Sequence, residues 1–247
     1  MRTLLLTLAL LLLPLLPARA QSSLPGLTEG VEYRTLADGQ PYQPLPPGMV
    51  EVAEVFAYTC PHCAHFAPML KAWEKQLPPH ARLVLVPWVS DRNDPWARIY
   101  FAARKAGALD LLHPRLFAAI HDTGELPRTA SGPQILAFAS TVRGVNTTAL
   151  KAAWQDEAAQ LDALRAAFEF ERRTEVEGTP TLIVAGRYQI LGNSYQNLLD
   201  NARKVVAALA PAQPAPAKPT PTKPASAPLR ASPRRVPPPV TDRSSLP

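Results

Sequence analysis

Cysteine is nearly absent from this chain of 247 residues: it holds Cys60 and Cys63 and no other. Two thiols cannot build a stapled framework, and a disulfide across two intervening residues closes too small a loop to constrain the unfolded chain much. For zinc the pair is only half a ligand set, and His65, His80, His113 and His121 offer no second close pair at ligand spacing. Also missing is an apolar run able to cross a bilayer. The run from Leu4 to Leu16, broken by Thr7 and Pro14, falls short of the roughly 20 residues required. There is no internal repeat. The body of the chain lacks an excess of charge. Of the net +6, residues 211–247 hold +5 (six Lys or Arg against one Asp) and Arg2 and Arg19 hold +2, which leaves −1 for residues 21–210. The high isoelectric point therefore says nothing about the folded part, and a nucleic-acid reading loses its main support.

The two ends read as segments apart from the fold. Met1 and Arg2, the apolar middle and the small-x-small exit Ala18-Arg19-Ala20 describe a secretory signal peptide over residues 1–20, cut after Ala20. No cysteine lies near that exit, so a lipoprotein is not expected. The mature chain then works where disulfides persist. Residues 211–247 hold 12 prolines and no aromatic residue, too little apolar surface to offset the entropy of ordering. They are expected to form a disordered basic tail of polyproline II character. It is a solvated spacer by default, or a weak attachment to anionic cell-wall or membrane surfaces.

Between the ends the pattern predicts an interrupted α/β unit. Residues 51–58, EVAEVFAY, read as a buried strand, 62–76 as a helix kinked at Pro68, and 82–89 as a second strand, which is the βαβ pattern of a parallel sheet. From Asp94 to Glu177 the period is helical. Asp94-Pro95 opens a helix to about Gly107, and others are expected over 109–121 and 132–143. A longer one, capped by Thr147 or Thr148, runs to about Thr174. Strands return at 181–184 and 188–191 around the turn Ala185-Gly186-Arg187, and an amphipathic helix over 194–209 closes the body. The expected organisation is an α/β domain over 21–93 and 175–210, an all-helical insert over 94–174, and the tail.

The stretch FAYTCPHCAHFAP, residues 56–68, then places both thiols where a strand gives way to a helix. A sulfur at Cys60 lies against unpaired N–H groups at the positive helix end, which favours the thiolate. Pro61 fixes the turn and offers no competing N–H, and His62 adds a dipole or a proton. Cys63, one turn on, can close a disulfide with Cys60 or attack a mixed disulfide formed there. A thiolate held this stable leaves easily, so the disulfide form is a strong oxidant. A redox centre fits better than a crosslink or a metal site. Glu54, in an otherwise apolar strand, points either to an edge or into the protein beneath the site.

These residues carry a resemblance. The strand running into Cys-Pro-His-Cys, Pro68, the helical insert and Gly178-Thr179-Pro180-Thr181 before the last strands resemble the thioredoxin superfamily. Within it the chain is most similar to the bacterial DsbA family of thiol:disulfide interchange proteins, over about residues 27–209. The resemblance implies a thioredoxin-like sheet interrupted by the helical insert. It implies Cys60 as the exposed nucleophile, Cys63 as its buried partner, Pro180 as a cis-proline facing the sulfurs, and Thr179 as the backbone that pairs a substrate strand. By itself the sequence gives only a proline starting a strand, which an edge or a turn also explains. The resemblance favours burial of Glu54 as a proton relay for Cys63. It departs from the family where a lysine is often found on the next strand: Leu83 to Val86 are all apolar, which leaves Glu54 with a raised pKa.

The function implied is that of a periplasmic dithiol oxidase, monomeric and without metal or organic cofactor. It acts on reduced or unfolded exported proteins and is reoxidised by a DsbB-type membrane partner. A disulfide isomerase or reductase, and a peptide-binding chaperone with secondary redox activity, are the alternatives.

Overall fold

The computed structural model describes residues 23–210, so the expected leader and the tail lie outside the described residues. Strand β2, Val50–Phe56, is buried at every position and forms the inner spine of the sheet. Its alternate side chains serve two cores. Val50 and Val52 pack with Leu182, Phe66 and Val205 on one side, while Ala53 and Val55 join the cluster of the helical segment on the other. Helix α1, Pro61–Glu74, contains Pro68 and buries Cys63, Phe66, Leu70 and Trp73 at helical spacing. Phe66 is completely buried, so Phe66→Ala would cost about 3–5 kcal/mol.

Strand β3, Ala81–Pro87, pairs parallel to β2, as a strand–helix–strand unit requires. Five helices follow before the sheet resumes: α2 Pro95–Lys105, α3 Leu109–His121, α4 Gly132–Thr141, α5 Thr147–Gln155 and α6 Glu157–Arg173. Strand β4, Thr181–Val184, is antiparallel to β2 and to β5, Tyr188–Ile190, and α7, Tyr195–Ala208, closes the chain. A short strand β1, Tyr33–Thr35, pairs antiparallel to β5, giving the order β1-β5-β4-β2-β3. This mixed sheet with a helical insertion is the expected fold class.

Two local expectations need correction. The stretch expected as one helix to Thr174 is two, because Asp156 (φ −77°, ψ 80°) leaves the helical region and its side chain accepts from the Ala159 N–H to start α6. The cap of α5 is Asn146, not Thr147 or Thr148; its side chain accepts from the Ala149 N–H. The hairpin between β4 and β5 matches its sequence signature. Ala185 and Gly186 have φ of 53° and 64°, and a Cβ on Gly186 would stand 2.0 Å from the Gln40 carbonyl carbon.

Candidate active site

Cys60 is the N-cap of α1, with extended backbone (φ −86°, ψ 118°) and Pro61 in the first helical turn. Its own N–H donates to the Ala57 carbonyl at 3.1 Å, which sets the turn out of β2. The orphan N–H groups of the first turn therefore face its sulfur. Partial burial pushes the Cys60 thiol up. Side-chain hydrogen bonding from Thr179, the backbone N–H and thiol of Cys63 and the backbone N–H of His62 outweigh that, so the net shift is downward. Cys63, one turn on, is fully buried; burial pushes its thiol far up, and negative charge at Glu54 and Cys60 adds to the shift. The two sulfurs are thus opposite in character. Cys60 is half-buried, less open than expected of the outer thiol.

Thr179 and Pro180 cross to this site from the start of β4. The Cys60 thiol donates to the Thr179 carbonyl at 3.2 Å, and the Thr179–Pro180 peptide is cis. Glu54 lies in β2 between Leu85 of β3 and Leu182 of β4. It is buried, and one carboxyl oxygen has no hydrogen-bond partner. Burial, and then negative charge at Cys60, push its carboxyl up to about 8. With an apolar residue in the neighbouring register position, no cation offsets the desolvation. Glu54 also borders a groove of about 1060 Å³ that runs from Pro61 past His113 to Tyr100 and Arg104.

Three contacts escape sequence reasoning. His62 Nδ1 lies 2.9 Å from the Tyr195 hydroxyl, at the start of α7. Tyr58, two residues before Cys60, is held by α3 at both ends. Its hydroxyl meets His113 Nδ1 at 2.9 Å, and its carbonyl accepts from His121 Nε2 at 2.8 Å. His113 and His121 enter the sequence argument only as unsuitable metal ligands; they are eight residues apart, so they share a helix face only once α3 is formed. Among the described residues, no group of three or more His, Cys, Asp or Glu is placed to hold a metal ion.

Comparison with known proteins gives this geometry a family. A sequence family described as thioredoxin matches residues 46–200. The thiol:disulfide interchange protein DsbA of Bordetella parapertussis is 32% identical over 164 residues, 63% of this chain and 76% of its own. The chain belongs to the DsbA family. The DsbA of Burkholderia cepacia is 31% identical over 204 residues, covering 82% of this chain and 93% of that protein. The crystal structure of the oxidoreductase DsbA from Xylella fastidiosa superposes with a TM-score of 0.68 at 35% identity, over 75% of this chain and 97% of that one. As a DsbA family member the protein is a thiol:disulfide oxidoreductase, and Cys60 and Cys63 are its only cysteines.

Proposed function

We propose that the protein is an exported dithiol oxidase that donates a Cys60–Cys63 disulfide to reduced, unfolded proteins in the periplasm. The observation that carries this reading is the opposed character of the two thiols, Cys60 pushed down and Cys63 pushed up. A substrate thiolate attacks the Cys60 sulfur, the Cys60–Cys63 bond breaks, and Cys63 leaves with the electron pair. Because its thiol pKa is high, Cys63 takes up a proton, and Glu54, near neutrality in its own titration, is the relay that supplies it. A second substrate thiolate then attacks the substrate sulfur of the mixed disulfide. Cys60 departs as a thiolate stabilised by the N–H groups at the start of α1, which makes the overall direction oxidising.

Thr179 offers its backbone to an extended substrate segment beside Cys60, and Pro180 presents no N–H that would compete for the sulfurs. Pro61 fixes the turn, and His62 adds to the stabilisation of the Cys60 anion. Electrons move only between sulfurs, so the exchange requires no metal or organic cofactor. A DsbB-type membrane protein would reoxidise the monomer. The domain plan has a leader over 1–20, the thioredoxin-like part over 21–93 and 175–210, the insert over 94–174 and the tail over 211–247.

The test is oxidation of a reduced, unfolded protein by the mature chain, together with an alkylation titration of Cys60. The expected result is stoichiometric oxidation, abolished in Cys60→Ser, and a thiol pKa well below the free value of about 8.5. A Cys60 that titrates as a free thiol sinks the oxidase reading. Suppressed aggregation without oxidation would support the chaperone instead.

A further inference from the structure

We infer that Tyr195 is a positioning residue for disulfide exchange: its hydroxyl fixes the His62 ring so that the other ring nitrogen, Nε2, always carries a hydrogen. The inference rests on the reading of Cys60 as the exchanging sulfur.

The contact joins the first turn of α1 to the first residue of α7, across 133 positions of sequence, at 2.9 Å between Oη and Nδ1. It is held from two sides. Ser194 caps α7 by accepting from the Asn197 N–H, and the Tyr195 ring packs on Phe66 with centroids 5.4 Å apart. Phe66 is itself completely buried beside Cys63 in α1. The phenol also lies within electrostatic reach of the chemistry. Burial first, and then negative charge at Cys60 and at Cys63, push its pKa up, so Tyr195 stays a neutral hydroxyl.

The chemical consequence follows from what a phenol can do. Beside a neutral imidazole it acts as the better donor and gives its hydrogen to Nδ1, so the ring proton must sit on Nε2. Beside an imidazolium it accepts from Nδ1–H, and Nε2 again carries a hydrogen. In both states the nitrogen not held by Tyr195 is a donor and never a lone pair. His62 stands in the first turn of the helix that Cys60 caps, and the phenol that holds its ring feels the charge at Cys60. A ring donor directed at that thiolate stabilises it, whereas a lone pair directed there repels it. Without the hydroxyl, a neutral ring is free to place its proton on either nitrogen and to rotate.

The test is Tyr195→Phe, which keeps the ring on Phe66 and removes only the oxygen, measured beside wild type, His62→Ala and the double variant. Long-range nitrogen–proton correlation spectra should show His62 protonated on Nε2 in wild type and a mixture of tautomers in Tyr195→Phe. The Cys60 thiol should titrate higher in the variant. In a glutathione buffer its disulfide should be favoured by roughly threefold to tenfold, the worth of one partly exposed hydrogen bond. In the His62→Ala background the same change should move neither quantity. Equal titration and equal redox equilibrium in wild type and Tyr195→Phe overturn the inference, as does an undiminished effect in the absence of His62. A free-thiol titration of Cys60 in wild type would instead strike the oxidase reading on which it rests.

Discussion

At the scale of single residues, Glu54 is the group whose chemistry can be separated from the cysteines. It is buried with one oxygen unpartnered, and its carboxyl is pushed up to about 8, so near pH 7 most of it is protonated, as the proposed relay to a departing Cys63 requires. Glu54→Gln keeps the shape and removes the proton. Stopped-flow reaction of the disulfide form with a small thiol at pH 7 should therefore be slower by roughly tenfold or more, in the range of lost general-acid assistance. An unchanged rate would remove the relay role. The residues alone leave Glu54 either at an edge or beneath the site; the family resemblance favours burial, and Glu54 is buried. The apolar run Leu83 to Val86 beside Glu54 could be read in the same way; the one cation of that strand, Arg82, stands opposite Glu51 instead. Tyr195 could not be read, since nothing near it in sequence marks it as a partner of His62. Only the packing of α7 on α1 brings the two together.

At the scale of elements, the helix starting with Asp94-Pro95 was legible because its cap is local. One Asp94 oxygen accepts from the N–H groups of Trp96 and Ala97, and the other accepts from the Ser90 N–H and hydroxyl. The side chain thus closes the passage from β3 into α2 as well as the helix end. Asp94→Ala should destabilise the protein by about 2 kcal/mol, the upper end for a cap, because the Ser90 loop loosens too. A thermal melt should show Tm lower by roughly 4–8 °C for a domain of this size. Asp94→Asn, which can still cap, should lose less; equal losses in the two would mean that capping is not what Asp94 contributes. Strand β1 was missed because three residues are too few for a period, and its pairing with β5 is fixed only by the folded sheet. The break at Asp156 was hidden because the apolar spacing continues through it, although Asp156 and Glu157 carry the composition of a helix start.

At the scale of the whole molecule, the last backbone hydrogen bond of α7 runs from the Ala210 N–H to the Ala207 carbonyl. Truncation after Ala210 leaves that ladder complete. It should shift Tm and the oxidation rate negligibly, while abolishing any sedimentation with anionic vesicles that the full chain shows. A large loss of Tm would mean that residues 211–247 add to the fold.

The pH dependence of stability is also a property of the whole molecule, because buried groups contribute with different signs: the carboxyls of Glu51, Glu54 and Glu171, all pushed up by burial, and the imidazole of His113. Burial pushes Glu54 and Glu171 up to about 8, against about 4.3 in an unfolded chain. Between those values the folded state binds more protons, so stability falls as pH rises. His113 is the opposite case. Burial, with Lys71 nearby, pushes it down to about 4 against about 6.5 unfolded, so across that window stability rises with pH. In the disulfide form, where Cys60 does not titrate, the histidine opposes the glutamates below pH 6.5; above it the histidine contributes nothing and the buried carboxyls set the slope. Each can supply a slope of at most about 1.4 kcal/mol per pH unit. Tm should therefore be higher at pH 6.5 than at pH 8. The decline should become shallower in Glu54→Gln and in Glu171→Gln, where the amide oxygen can still accept from the Val89 N–H. The double variant should be flatter than either single one, with Glu51, also pushed up by burial, left to act. A wild-type Tm that holds or rises from pH 6.5 to 8 would mean that both carboxyls are already ionised in the folded protein. Glu54 would then hold no proton to give to Cys63.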